Sequence, residues 1–296
     1  MKRPLRGFLA AALAALAAVA TLGLSGAPAS AAGRDAAAAP RTVAAPAPAP
    51  AAVTVDFAGT VSLSNCSGSL IRFPSSASTD PALVLSNGHC LTSGFLDAGE
   101  VLVNQASTRT FGLLNASGRS VATLRATKLA YATMTDTDIS VYQLNRTYAQ
   151  IQSSYGISAL EVSGTHPVQG TAIKVVSGYW KTIYSCSIDG FVHLLKEGDW
   201  TWKDSVRYTP SCNTIGGTSG SPVIDTATGK VVAINNTGNE DGGRCTLNNP
   251  CEVAANGTVT VRQGINYAEQ TYGIGACVTT GNRFDLTLPG CGLPKP

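Results

Sequence analysis

The chain has 296 residues, of which 13% are charged, with 21 Lys and Arg against 18 Asp and Glu for a formal net charge of +3. Five of those basic residues and one acidic residue lie before Val53, so the rest of the chain carries 16 basic against 17 acidic groups. A nearly neutral body gives no electrostatic case for nucleic acid or an anionic membrane surface as a partner.

The chain opens with Lys2, Arg3 and Arg6, then an Ala- and Leu-rich run from Gly7 to Leu24, then the small residues Ala29-Ser30-Ala31. Charge, apolar stretch and A-x-A site in that order predict a signal peptide over 1–31 and a secreted, extracellular product with no membrane attachment after cleavage. An uncleaved anchor is the rival, because the run is near the lower limit for spanning a bilayer. Its alanine content and the A-x-A site favour export. Residues 32–52 are Ala- and Pro-rich (Ala45-Pro46-Ala47-Pro48-Ala49-Pro50) and read as a linker or short propeptide that buries little.

Past Val53 the pattern is β. Short alternating or β-branched runs recur between turn residues, among them Thr60–Ser64, Ser69–Phe73, Ala82–Ser86, Val101–Asn104, Val121–Ala126, Ile139–Leu144, Thr171–Val176, Val223–Ile224, Val231–Asn235 and Thr258–Arg262. Thr147–Ser153 and Ser158–Ser163, midway along, each read as a short helix or a turn. The expectation is an all-β chain in two halves, 53–154 and 155–296, with a mid-chain connection.

All eight cysteines follow the leader, as suits an oxidising compartment. Their number allows about a hundred pairings, so count alone does not set connectivity. Sequential pairing is expected: Cys66–Cys90, Cys186–Cys212, Cys245–Cys251 and Cys277–Cys291. No C-x-x-C is present, which argues against zinc. Asn239-Glu240-Asp241-Gly242-Gly243 reads as a solvated turn in preference to a calcium loop. No metal and no cofactor are expected.

The richest local signal is Gly216-Gly217-Thr218-Ser219-Gly220-Ser221-Pro222. Small neighbours leave the Ser219 hydroxyl open, and glycines let the backbone turn so that two N–H groups point at one spot. His89, in Ser86-Asn87-Gly88-His89-Cys90, and Asp138, in Thr137-Asp138-Ile139-Ser140-Val141, precede it in workable order for a hydrolytic site. His166 and His193 read as a loop and a strand residue, and Asp136 as a wrong-register alternative to Asp138.

Cys66-Ser67-Gly68-Ser69-Leu70-Ile71 with Gly88-His89-Cys90 resembles the first half of a chymotrypsin-like (trypsin-like) serine protease. Asp138-Ile139-Ser140-Val141 is similar to that family's aspartate at the head of a strand. Gly217-Thr218-Ser219-Gly220-Ser221-Pro222 resembles the serine motif of its bacterial secreted, V8-like (glutamyl-endopeptidase-like) branch. The resemblance spans about Thr60 to Thr237. It implies two antiparallel six-stranded β-barrels around a crevice, and a disulfide tying the strand before His89 to Cys90. It also implies peptide-bond hydrolysis of protein or peptide substrates through an acyl-enzyme, with no cofactor. In that scheme His89 is general base, Asp138 holds its tautomer, Ser219 is nucleophile, and the Gly217 and Ser219 N–H groups stabilise the oxyanion. A monomer is expected.

All three histidines precede Ser219, which excludes the α/β-hydrolase order. Subtilisins need a helix starting at the serine, where this chain has Pro222 and strand-like residues. Departures from the resembled family matter as well. Thr218 stands where the animal branch has an aspartate that pairs with a freed N-terminus, so activity is expected not to depend on that switch. Asn213 stands where trypsin-like members carry an aspartate that binds basic side chains. Asn235 stands near the place where the glutamyl-specific branch has a histidine. Asn213, Thr214, Gly216, Asn235 and Asn236 are therefore the expected pocket walls, suited to a small or polar neutral side chain. The rival readings are a catalytically silent secreted binding homologue and an esterase using the same residues.

Overall fold

The computed structural model describes residues 53–296, and the expected signal peptide and linker lie outside them. The described residues are almost wholly β, as expected. Strands β1 (Thr60–Ser62), β2 (Ser67–Arg72), β3 (Pro81–Ser86), β4 (Val101–Ala106), β5 (Thr110–Leu114), β6 (Ser120–Thr133) and β7 (Ile139–Thr147) precede helix α1 (Tyr148–Tyr155) and β8 (Leu160–Glu161). Then come β9 (Ala172–Ser177), β10 (Thr182–Glu197), β11 (Trp200–Tyr208), β12 (Pro222–Asp225), β13 (Val231–Gly238), β14 (Cys251–Val253), β15 (Val259–Val261) and β16 (Asn266–Gln270). A short pair, β17 (Val278–Thr279) and β18 (Arg283–Phe284), closes the chain.

The first sheet runs β1-β5-β6-β7-β3-β2 and closes on itself where β1 pairs with β2, giving a six-stranded antiparallel barrel. The second repeats the plan as β11-β16-β13-β12-β9-β10, closed by the β10–β11 pairing. Closure pairs the edge strands within each six-stranded barrel, while β4, β8 and the β14–β15 pair extend outside the closed rings.

The apolar run Ala82-Leu83-Val84-Leu85 has no polar alternation because both faces of β3 are buried. Ala82 and Val84 join one core cluster, while Leu83 and Leu85 join another. A third cluster, including Ile173, Val175, Ile188, Val206 and Val223, fills the second barrel. All four disulfides follow the sequential pairing.

The mid-chain connection divides differently from expectation. Thr147 caps α1, its hydroxyl accepting from Gln150 N at 3.2 Å while Gln150 Oε1 accepts from Thr147 N at 2.9 Å. The reciprocal pair satisfies two free donors of the first turn. Ser158–Ser163 is neither helix nor turn. It holds β8, which runs parallel to β2 with Leu160 opposite Ile71, and Leu160 packs on the same core cluster as Ile71. Burial of Leu160 there outweighs local propensity. The final segment also crosses back: Phe284 stacks on Tyr131 at 5.7 Å, and Tyr131 Oη donates to the Pro294 carbonyl at 2.9 Å.

Candidate active site

Asp138 ends the turn before β7 and is fully buried. Its neighbourhood is stitched to the segment after β3. Ser86 pairs with Ser140 across the β3–β7 ladder. Asn87 Nδ2 donates to Asp138 O at 2.8 Å, and Ser140 Oγ donates to Asn87 O at 2.7 Å. His89 sits one turn later, on a 3₁₀ turn over Gly88–Cys90 that the Cys66–Cys90 disulfide anchors to the start of β2. No side chain fits at Gly88, because a Cβ there would lie 2.3 Å from Thr133 O and 2.9 Å from Asp138 Oδ1.

The Asp138 carboxylate is spent on His89. Oδ1 accepts the His89 backbone N–H at 3.0 Å, and Oδ2 meets His89 Nδ1 at 2.6 Å. Such a bond fixes the imidazole plane and leaves Nε2 as the free ring nitrogen. Burial alone would lower the imidazole pKa. The Asp138 charge and hydrogen bond, with help from Glu197, outweigh it and raise His89 above its ordinary value of 6.5.

Ser219 comes from the second barrel, on the turn leading into β12. The turn is tied to both barrels: Ser67 N donates to Ser219 O at 2.8 Å, and Gly220 N donates to Asn235 O at 2.9 Å. Ser219 Oγ rests on the Asn236 carbonyl at 3.3 Å, and this carbonyl, not His89, is its partner among the described residues. Among the described residues neither Gly217 N nor Ser219 N donates a hydrogen bond, whereas Thr218 N donates to Ile215 O at 3.0 Å. His89, Asp138 and Ser219 line one cleft between the barrels.

Of the expected pocket walls, Thr214, Gly216, Asn235 and Asn236 line that same cleft. Asn213 does not. Cys212 is held by its disulfide and by Asn266 Nδ2, which donates to Cys212 O at 3.0 Å, and the chain turns Asn213 to solvent before Thr214 turns inward. His166 lies outside the cleft, paired with Asp204 at 3.0 Å, and His193 is exposed on β10. Asp136 pairs with Lys203 at 2.7 Å. Cys66, His89 and Cys90 bring three ligand-type atoms within 4.8 Å of one another, but both sulfurs are consumed in the disulfide.

Further residues that motif reading did not reach line the cleft, among them Phe95, Glu197 and Trp200. Phe95 meets the His89 ring edge-on at 5.8 Å and Trp200 at 5.5 Å, and Trp200 Nε1 donates to Leu96 O at 2.8 Å. Glu197 is buried, accepting from Asn248 N at 2.8 Å, and burial raises its carboxyl above 4.5 despite that bond. Trp200 and Leu96 lie 104 residues apart in sequence, so no local pattern links them.

The family model of the trypsin-like peptidase domain matches residues 66–234, more than half of the chain, and the chain belongs to that family. It is a peptidase-class hydrolase, with peptides or proteins as substrates. No curated protein sequence matches it. Among solved structures it is similar to the Rv3671c protease from M. tuberculosis in its active form, at 13% identity and TM-score 0.47, over 81% of this chain and 85% of that one. It is also similar to the MamO protease domain from Magnetospirillum magneticum (11%, 0.44, 72% and 92%) and to the thermostable serine protease AL20 from an extremophilic microorganism (16%, 0.42, 73% and 91%). The family assignment rests on the domain match alone.

Proposed function

We propose that the protein is a secreted, bacterial, V8-like serine endopeptidase that works as a monomer and without a cofactor. Its lobes are taken as 53–154 and 155–296, and Ser219 is the nucleophile, His89 the base and Asp138 the group that orients the base. The observation that carries this reading is the 2.6 Å contact between His89 Nδ1 and buried Asp138, facing a cleft that also holds Ser219. Four disulfides, and no helix among the described residues long and apolar enough to cross a membrane, are consistent with export.

The chemistry follows. Rotation of Ser219 about χ1 takes Oγ from the Asn236 carbonyl toward His89 Nε2, which accepts its proton as Oγ attacks the scissile carbonyl carbon. The free Gly217 and Ser219 N–H groups receive the resulting oxyanion. Imidazolium, stabilised by Asp138, returns the proton to the leaving amine as the C–N bond breaks. Water then hydrolyses the acyl-enzyme by the same steps in reverse roles. Thr214, Gly216, Asn235 and Asn236 offer a neutral wall to the substrate side chain, which favours small or polar residues before the cut.

Casein digestion by wild type against Ser219→Ala tests the assignment. The expected result is cleavage that falls by roughly 10⁴-fold or more in the variant with unchanged folding. Ester hydrolysis without casein cleavage would favour an esterase. No hydrolysis of either by a folded, disulfide-bonded sample would favour a silent homologue.

A further inference from the structure

The Gly216–Gly217 peptide carries one of the two N–H groups assigned above to the oxyanion, and it is soft. Glycine on both sides means that rotating this peptide plane costs little backbone energy. No ion pair anchors residues 213–221 among the described residues, and Thr218 spends its hydroxyl and its N–H on the Ile215 carbonyl. Something else must decide which way the plane faces.

The neighbour that does so is Trp180, in the turn between β9 and β10. Its indole Nε1 donates to the Gly216 carbonyl at 2.7 Å. In a planar trans peptide the C=O and the following N–H point in opposite directions. Fixing the Gly216 oxygen on the indole therefore turns the Gly217 N–H the other way. Gly217 itself has φ +87°, and a Cβ there would come within 3.0 Å of both Trp180 Nε1 and Tyr179 Cδ1. The two aromatic side chains thus occupy the space any larger residue would need.

The turn that presents Trp180 is itself braced. Ser177 Oγ accepts Trp180 N at 3.1 Å, Ser67 Oγ accepts Tyr179 N at 3.0 Å, and the two serine hydroxyls meet at 3.2 Å. Ser67 Oγ also donates to Gly217 O at 3.3 Å, so the peptides on either side of Gly217 are held from one base. Tyr179 packs edge-on against Trp180 at 4.9 Å. Yet Trp180 remains 47% exposed on the rim, so burial does not account for its placement.

We propose that Trp180 is a positioning residue for the oxyanion site: its indole N–H holds the Gly216 carbonyl and so presents the Gly217 N–H to the developing oxyanion. The inference rests on the serine-peptidase reading. It makes the alignment of that donor a property of the β9–β10 turn.

Trp180→Phe keeps an aromatic ring and removes the N–H. Wild type and variant are compared on a peptide cut by the wild type, together with inhibition by a matching peptidyl aldehyde, whose serine adduct places an oxyanion in the site. The expected result is a kcat lower by about 3- to 10-fold, the worth of one ordinary hydrogen bond. KM and the acid limb of the pH profile stay near wild type, and aldehyde affinity weakens by the same factor as kcat/KM. Replacing Trp180 with 3-benzothienylalanine, which exchanges the N–H for sulfur at nearly constant shape, gives the same loss and guards against a packing artefact in the Phe variant. Wild-type kcat and aldehyde affinity in either variant overturn the proposal, as does a loss confined to KM or to melting temperature. A wild type inactive toward peptides and unlabelled by a fluorophosphonate overturns the serine-peptidase reading and this inference together. An active wild type with indifferent variants overturns the inference alone.

Discussion

The two walls of the cleft are built on opposite plans. On the first-barrel side, the proposed base and its partner sit where β3 and β7 are paired, under a disulfide, with Asp138 fully buried and bonded twice to His89. On the second-barrel side, the proposed nucleophile follows two glycines, with Ile215 51% exposed nearby and the Ser219 hydroxyl on a long 3.3 Å bond. One wall has its geometry set by sheet pairing and burial. The other depends on a few single bonds, to β2, to β13 and to the β9–β10 turn. A base must keep one tautomer and one orientation throughout a reaction, whereas a nucleophile loop must admit a substrate and settle around an oxyanion.

The largest effect is expected where the rigid wall is broken electronically and left intact in shape. Asp138→Asn would retain the packing but favour the wrong imidazole tautomer, lowering kcat by roughly 10⁴-fold at neutral pH with little change in melting temperature. Steady-state kinetics on a peptide substrate check it. A loss below about tenfold would mean that Asp138 is merely structural.

Next comes the soft wall. Gly217→Ala forces a positive-φ residue to carry a Cβ that must displace Tyr179 or Trp180. The expected loss is about 10²-fold in kcat, with KM less affected, because a donor to the oxyanion is misplaced. An unchanged kcat would remove Gly217 from the site.

A third test probes the support behind the nucleophile. Glu269 is buried under Asn236, whose Nδ2 donates to Glu269 Oε1 at 3.1 Å, and burial lifts its carboxyl to about 8. The folded state keeps this proton over a range where the unfolded chain has lost it. Stability from this group is therefore fully present below about 4.5 and is lost as pH rises toward about 8. Urea unfolding at pH 5 and pH 8 should find a larger loss in wild type than in Glu269→Gln. Equal losses would place the ionisation elsewhere.

The smallest effect links the two walls. Glu197, from the second barrel, helps to raise His89. Activity requires neutral imidazole, so it should climb with pH through a value above 6.5, and Glu197→Gln should move that limb to lower pH. A kcat/KM profile decides it. An unmoved limb would mean that Glu197 is already protonated there.

What could be read from the sequence tracks this contrast. Gly88-His89-Cys90, Asp138 at the head of a strand and Ser219 among glycines are signals carried by a few adjacent residues, whereas the approach of His89 to Asp138 depends on the β3–β7 pairing and the Cys66–Cys90 bridge. The cysteine pairing followed chain order because each bridge closes a short span, from 6 to 26 residues. Asn213 was misplaced because its direction depends on the Asn266 bond to Cys212, 54 residues away. Ser158–Ser163 read as a short helix or a turn because the two-residue strand it holds, β8, is defined only by its partner, β2. Trp180 carries no motif at all, and its role emerges only where the β9–β10 turn meets Gly216.

Ser219 is the proposed nucleophile, activated by His89 and Asp138. The most direct test of this role is reaction of the folded protein with a fluorophosphonate, followed by peptide mass mapping of the adduct. A single modified residue, Ser219, is expected, with labelling abolished in Ser219→Ala and strongly slowed in Asp138→Asn. An adduct on Ser221 or another serine, or no adduct on a correctly disulfide-bonded sample, would contradict it.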